Sequence, residues 1–527
     1  MKTLYYGGTI RTMEADGTAE ALLVENGVIA AVGSLEQLRS WAKGAVEIDL
    51  EGRALLPAFI DAHSHFSGAA QALLQAPLDE AACFDDIADA LARFIAQNHV
   101  PEGQWVVGKG YDQNALAEQR HPTRAVLDAV SANHPIMIVH QSAHMGVFNT
   151  RALELLGVTA DTPAPAGGAI GKEGGALTGY MEENAFLHYQ AKAPMPDMDD
   201  LMDAYRRVQQ MYASYGVTTV QEGMMPESLI PLYQGLLARG LLELDVVAYP
   251  SVDALDAVCD AFPEAVRRYD NHFKIGGCKL FLDGSPQGRT AWMRAPYQGA
   301  ADGYCGYGTM TDGALRDALL AAYHSGMQPL AHCNGDAAAA QYLAVAAAIE
   351  RERPDFRDLR PVMIHAQLLD TDQMDETARL GVIPSFFIAH VYQWGDTHIK
   401  NFGRERASRI SAAKAALDRG IPFTFHQDTP VLSPDMLGTV WCAVNRVTKG
   451  GVTLGAEQRI PAEAALRAVT VNAAHQYFEE ARRGSLRPGK AADLVLLDTD
   501  PLAVPHEKLR DIRVLETIKA GETVWRA

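Results

Sequence analysis

The sequence predicts an α/β protein whose main domain is a closed (β/α)8 TIM barrel, and two observations carry that prediction. Eight apolar, strand-like runs recur along the chain, at residues 55–62, 217–221, 244–249, 273–282, 327–332, 361–365, 382–387 and 422–426. They read as unbroken Val/Ile/Leu-rich stretches, as strands buried on both faces of a parallel sheet do, and helical patterning follows each one. The chain ends have a different character. Short β-rich segments separated by turn residues occupy 3–10, 21–33 and 46–48 at one end, and 493–497 and 513–525 at the other. Together they predict a small β-sandwich domain split between residues 1–54 and 484–527, closed around a barrel at 55–483. The interval between the first two runs, about residues 67–207, is too long for one loop and predicts an inserted subdomain over the barrel mouth.

Composition narrows the function classes. With 527 residues, 48% of them hydrophobic, the chain has enough apolar surface for a large core. No stretch reaches the ~18 apolar residues of a membrane span, and Gln341 interrupts the Ala-rich stretch at 337–349. The first 17 residues carry a short apolar run broken by Gly7, Gly8 and Arg11, which is no secretory core, so a soluble, cytoplasmic protein is expected. Six cysteines lie scattered without metal-knuckle spacing and are expected to be reduced. A formal charge of −19 repels phosphate backbones and anionic membranes. A small-molecule substrate is therefore expected rather than nucleic acid or a membrane, in a chain of a size that commonly forms a homodimer.

Active sites of such barrels stand at the C-terminal ends of the strands, so the residues ending each run are the ones to inspect. The first run leads into His63, Ser64 and His65; the fourth carries Lys279; the fifth ends at His332, the sixth at His365, and Asp428 follows the eighth. Imidazoles and a carboxylate from separate strands, gathered on one rim, have the donor types of a zinc-like cation. Residues two apart on a strand share a side, so His63 and His65 can grip one ion while Ser64 faces away. Taken singly, each histidine can equally be a hydrogen-bonded core residue, and Lys279 can reach solvent or pair with Asp283.

The segment Leu56-Pro57-Ala58-Phe59-Ile60-Asp61-Ala62-His63-Ser64-His65 resembles the first-strand signature of the amidohydrolase superfamily. The stretch from Gly484-Ser485-Leu486-Arg487-Pro488-Gly489-Lys490 to Val495 resembles the return to the β-domain of those proteins. Within the superfamily the chain is most similar to the amidohydrolase 3 group, the YtcJ-like proteins that include N-substituted formamide deformylases. That similarity runs through Lys279, Asp283-Gly284-Ser285, His332-Cys333-Asn334-Gly335-Asp336 and Asp428-Thr429-Pro430. It implies two divalent metal ions, zinc by donor type with manganese or iron allowed, held by His63, His65 and Asp428 on one side and by His332 and His365 on the other. It also implies that Lys279 is N6-carboxylated and bridges both. Two dications, one carbamate, one carboxylate and one hydroxide leave about +1 at the site, which neutral imidazoles tolerate.

The implied activity is metal-dependent cleavage of a C–N amide-type bond, in an N-substituted amide or a formamide-like substrate, with Asp428 as proton shuttle. The resemblance leaves open a non-catalytic metal-binding regulator, because the group includes proteins described as exoenzyme regulators, and a hydrolase of a cyclic imide, carbamate or ester. In the insertion, His140, Ser142, His144 and Asn149 form a polar cluster; His144 is the candidate substrate or oxyanion contact, and Asn149 is that or a helix cap. Trp292, Met293, Tyr297, Phe386, Phe387 and Trp394 are candidates for an apolar substrate pocket, or for core. Many relatives place a small Gly-Ser pair before the aspartate. Here His426-Gln427 stands there, which predicts a narrower pocket, a second proton carrier, or a packed, hydrogen-bonded histidine.

Overall fold

The computed structural model describes residues 2–141, 144–165, 167–193 and 198–527. The chain divides into two compact units, one of Met1–Ser67 with Val208–Ala527 and the other of Gly68–Arg207.

Eight strand positions build the barrel of the first unit: β1 (Phe59–Ile60), β2 (Val217–Met225), β3 (Asp245–Pro250), β4 (Gly277–Phe281), β5 (Gln328–Cys333), β6 (Val362–His365), β7 (Ile383–Phe386) and β8 (Thr424–Phe425). All pair in parallel, in two hydrogen-bonded arcs, β1 to β3 and β4 to β8. A bridge between Ser251 and Lys279 joins the arcs on one side. Opposite, β8 and β1 are too short for a ladder, and the wall is tied by His65 N–H donating to the Thr429 carbonyl at 2.8 Å and Ile60 N–H to the Val469 carbonyl at 2.9 Å. Register sets the rim: Phe281 lies opposite His332, Cys333 opposite His365, and His365 opposite Phe386.

Two of the runs change partner midway, which their unbroken apolar character conceals. The run 55–62 is divided at Ala58: Ala54–Pro57 lies antiparallel to Leu494–Leu497 in the terminal sheet, and only Phe59–Ile60 joins the barrel. Pro57 marks the switch, since it has no N–H to continue a ladder. The run 273–282 is divided at Gly276, with Phe273–Ile275 paired to β3 and β4 paired to β5. A Cβ on Gly276 would meet Val247 at 2.6 Å and one on Gly277 the Gln328 carbonyl at 2.0 Å, so glycine is required where the strand crosses from one neighbour to the next.

The termini supply one eight-stranded sheet, in which Lys2–Arg11 is the shared strand. Its ladder shifts between Tyr6 and Ile10, at Gly7 and Gly8; before the shift it pairs with Val46–Asp49, after it with Ala54–Pro57. Where a two-layer sandwich is expected, a single bent sheet closes over Tyr5, Leu22, Ile29, Leu55, Leu494 and Ile518. The second unit has its own six-stranded mixed sheet, from Ala76–Pro77 to Gly168–Glu173, with two apolar clusters. Among the described residues no helix is long and apolar enough to cross a membrane.

A buried ionic cluster locks the base of the barrel to the terminal sheet. Asp245, at the start of β3, meets Arg483, Lys519 at 2.8 Å and His272 at 2.7 Å, while Glu479 meets Lys274 and Arg483. Burial would raise both carboxyls, but for Asp245 the Arg483 and Lys519 cations, and for Glu479 Arg483 and Lys274, outweigh it and hold them below the ordinary carboxylate range. Stability from such depressed groups is fully present above the unfolded-state value of ~4 and is lost as pH falls through the folded-state values. Arg483→Met leaves these carboxylates without their central cation. It is expected to cost about 3–5 kcal/mol in urea denaturation at neutral pH. An unchanged urea midpoint contradicts the clamp.

Candidate metal centre

The segment after β1 is held by backbone and side-chain bonds to β2. Ser64 Oγ donates to the Gln221 carbonyl at 3.1 Å and accepts from its N–H at 3.2 Å, and the Ser64 carbonyl accepts from Gly223 N–H at 2.7 Å. Ser64 therefore points into the wall, and the rings of His63 and His65 fall on a common side with centroids 5.1 Å apart. Asp428, just past β8 with φ of +55°, brings Oδ1 to 3.3 Å from Nε2 of both His63 and His65, and Oδ2 to 4.0 Å from Nε2 of His365. Lys279 Nζ is 3.2 Å from His63 Nε2, and the His332 and His365 rings are 4.6 Å apart. All six sequence-proposed ligands thus belong to one cluster, and ligand atoms of His63, His365 and Asp428 lie within 4.8 Å of one another.

The cluster has the character of a cation site. The two nitrogens beside Asp428 Oδ1 approach it without hydrogen-bond geometry, as donors aimed at a common centre do, while His332 Nδ1 is buried without a hydrogen bond on the side of Asp283. Burial pushes His63 down to about 3 and His365 well below the usual imidazole value, so both are neutral, the form that ligates a metal. Burial opposes ionisation of Asp428, but the facing imidazoles of His63 and His65 hold it well below the ordinary range. Lys279 is pushed down to about 7 by burial, with the Asp428 charge pulling the other way.

Partners behind the ligands were not read from the sequence. Gln221 Nε2 donates to the Ala62 carbonyl and to Tyr477 Oη, each at 2.9 Å, which leaves Oε1 as acceptor for His63 Nδ1 at 2.6 Å. This fixes the His63 proton on Nδ1 and frees Nε2 for the centre. The only signal in the sequence is an amide at the end of the strand-like run 217–221. Asp283 is buried and accepts from the backbone N–H groups of Trp292 and Asn334 at 2.9 Å and Gly335 at 2.7 Å. It therefore organises the loop beneath His332, whose Nδ1 is 3.5 Å away, and does not pair with Lys279. His365 and Ala366 adopt φ of +70° and +45°, strained values for such residues.

The other proposed site residues have the following surroundings. Tyr297 is buried in its own loop, with its hydroxyl donating to the Ala291 carbonyl at 2.8 Å and its ring between Tyr304 and Phe402, so it lines no open pocket. Met293 and Phe386 are core, and Trp292 is half-buried with its N–H bound to Asp283. Phe387 is buried against His365, His390, Trp394 and His426. Phe281, at the end of β4, is an exposed apolar side chain at the rim, stacked on His332 at 4.3 Å and 39% accessible. His144 belongs to the second unit, where it is exposed and lies 3.1 Å from the Glu183 carboxylate. His140 is buried near Asp112, Asn149 caps the helix Thr150–Leu155 by accepting from Ala152 N–H, and Ser142 lies outside the described residues.

Residues 46–525 match the model of the amidohydrolase family, and the chain belongs to that family. It is 28% identical to an N-substituted formamide deformylase of Arthrobacter pascens, over 97% of this chain and 96% of that protein. It is 27% identical to the putative amidohydrolase YtcJ of Bacillus subtilis, over 100% and 99% of the two chains. The crystal structure of an uncharacterized metal-dependent hydrolase from Pyrococcus horikoshii superposes with a TM-score of 0.78 at 25% identity, covering 96% of this chain and 99% of that one.

Asp283→Ala removes the acceptor of three backbone donors, each worth ~1–3 kcal/mol when stranded. It is expected to lower the melting temperature clearly and to weaken metal retention, while Asp283→Asn, which keeps one acceptor oxygen, loses less. Equal melting temperatures for all three proteins contradict the anchoring role.

Proposed function

We propose that this protein is a hydrolase that uses two divalent ions, zinc by donor type, to cleave the C–N bond of an N-substituted amide or formamide-like small molecule. The observation that carries this reading is the convergence of four imidazoles, Lys279 and the Asp428 carboxylate on one buried centre. The similarity to an N-substituted formamide deformylase supports the bond type. His63, His65 and Asp428 would hold one ion and His332 and His365 the other, with Lys279 between them. Bound there, divalent ions supply a water of lowered pKa and polarise a carbonyl oxygen.

The side chains account for the rest. A lysine pushed down to about 7 has a substantial share of its uncharged amine at neutral pH, the form that adds to CO2. Its nitrogen lone pair bonds to the carbon, a proton leaves, and the resulting carbamate replaces a repelling ammonium with an anionic oxygen donor. The Asp428 carboxylate, ionised and facing the centre, accepts a proton from the attacking water and returns it to the departing nitrogen. The imidazoles of His63 and His365, kept neutral by burial, would bind without adding charge.

Asp428→Asn is expected to reduce hydrolysis of an N-substituted formamide by at least about a hundredfold while the protein keeps much of its metal. An active variant contradicts the proton-transfer role. Fully metal-loaded wild-type protein that cleaves no amide, imide, carbamate or ester points instead to a metal-binding regulator. Metal loading of the apoprotein is also expected to fall in CO2-depleted buffer and to recover with bicarbonate, with a mass gain of one CO2 at Lys279. Loading indifferent to CO2 contradicts the carbamate.

A further inference from the structure

His426 has no part in the chemistry above, although its ring lies 5.2 Å from that of His63 and 5.2 Å from that of His365. It is fully buried, with Phe387 against it at 5.3 Å, so it cannot act as a solvent-facing proton carrier. Both of its nitrogens are engaged. Nε2 is 3.1 Å from His365 Nδ1, and Nδ1 is 2.9 Å from the buried Ser385 hydroxyl.

We propose that His426, anchored by Ser385, is a positioning residue that keeps the His365 proton on Nδ1 and so presents Nε2 to the metal centre. This inference rests on the metal-dependent reading above. His365 Nε2 faces Asp428 Oδ2 at 4.0 Å, and a nitrogen that ligates a cation must offer a lone pair. A neutral His365 then carries its proton on Nδ1 and donates it to His426 Nε2. His426, neutral in turn, carries its proton on Nδ1 and donates it to Ser385 Oγ, since a hydroxyl can accept as well as donate. The chain His365 to His426 to Ser385 runs in one direction with no buried nitrogen left over. The reverse direction would place a hydrogen on His365 Nε2, pointing at the cation.

The same result is reached for His63 by a different device, the Gln221 amide held by Ala62 and Tyr477. Both devices are uncharged. Carboxylate partners are common behind metal-binding histidines. One placed behind His365 would add a negative charge close to Asp428, whereas His426 orients the ring and leaves the charge of the centre unchanged.

The test uses Co2+ added to the full-length apoprotein, reading bound ions per chain by elemental analysis and the visible absorption of the bound Co2+. His426→Leu removes the acceptor and is expected to weaken one of the two ions about 10–100-fold, with a change in the cobalt bands. His426→Gln, whose Oε1 can accept from His365 Nδ1, is expected to restore most of that affinity. Ser385→Ala, which leaves His426 free to reverse its tautomer, is expected to show a smaller loss of the same ion and remains readable if the leucine variant does not fold. Wild-type affinity in Ser385→Ala, or equal losses in the Leu and Gln variants, overturns the proposal. A wild-type protein that binds Co2+ but hydrolyses nothing would sink the proposed activity and leave this assignment standing. A wild-type protein that binds none would end both.

Discussion

The rest of the architecture is organised around a buried carboxylate and a buried lysine held beside neutral imidazoles at one rim of the barrel. Lys279 is almost fully removed from water and Asp428 largely so, where an unbalanced charge is expensive. The imidazoles of His63 and His65 outweigh burial for Asp428, yet they meet its Oδ1 at 3.3 Å without hydrogen-bond geometry. Cations at the centre, as proposed, would resolve this arrangement. The surrounding structure holds the side chains in place: Ser64 turned into the wall, Gln221 and His426 behind two of the histidines, and Asp283 beneath a third.

The barrel separates this demand from its own stability. At the rim, non-glycine residues at His365, Ala366 and Asp428 take positive φ values, and side chains face one another without being fully satisfied. At the base, the ionic cluster of Asp245, Arg483, Lys519, Glu479 and Lys274 ties β3 and the following strand segment to the terminal sheet. Conserving strain at one end and interlocking the other is the usual division in such barrels, with chemistry at the C-terminal ends of the strands and stability at the N-terminal ends.

Much of this was legible in the sequence, for identifiable reasons. The histidines and Asp428 could be placed because each stands at or just past the end of an apolar run, and Lys279 because an ammonium inside such a run is costly without a partner. The partners behind them could not. Gln221 ends one run and Ser385 lies inside another, and nothing in linear spacing says that one faces His63 and the other His426. Strand boundaries failed at Ala58 and Gly276 because a strand that exchanges one buried partner for another stays apolar throughout. The aromatic residues after β4 misled for a related reason: Tyr297 stacks within its own loop, and whether a ring lines a cavity or a core depends on contacts that composition does not encode. The position of Asn149 before a helix allowed its capping role to be named beforehand, since capping is a local pattern.

Donors from five strands are proposed to share one binuclear centre at the barrel rim. Anomalous diffraction from crystals grown with zinc, collected on both sides of the zinc edge, measures this directly. The account predicts two peaks at the barrel rim, one bounded by His63, His65 and Asp428 and the other by His332 and His365, with continuous density from Lys279 Nζ reaching both. A rim without anomalous signal, or a lysine ending in a bare ammonium turned away from the histidines, would contradict it.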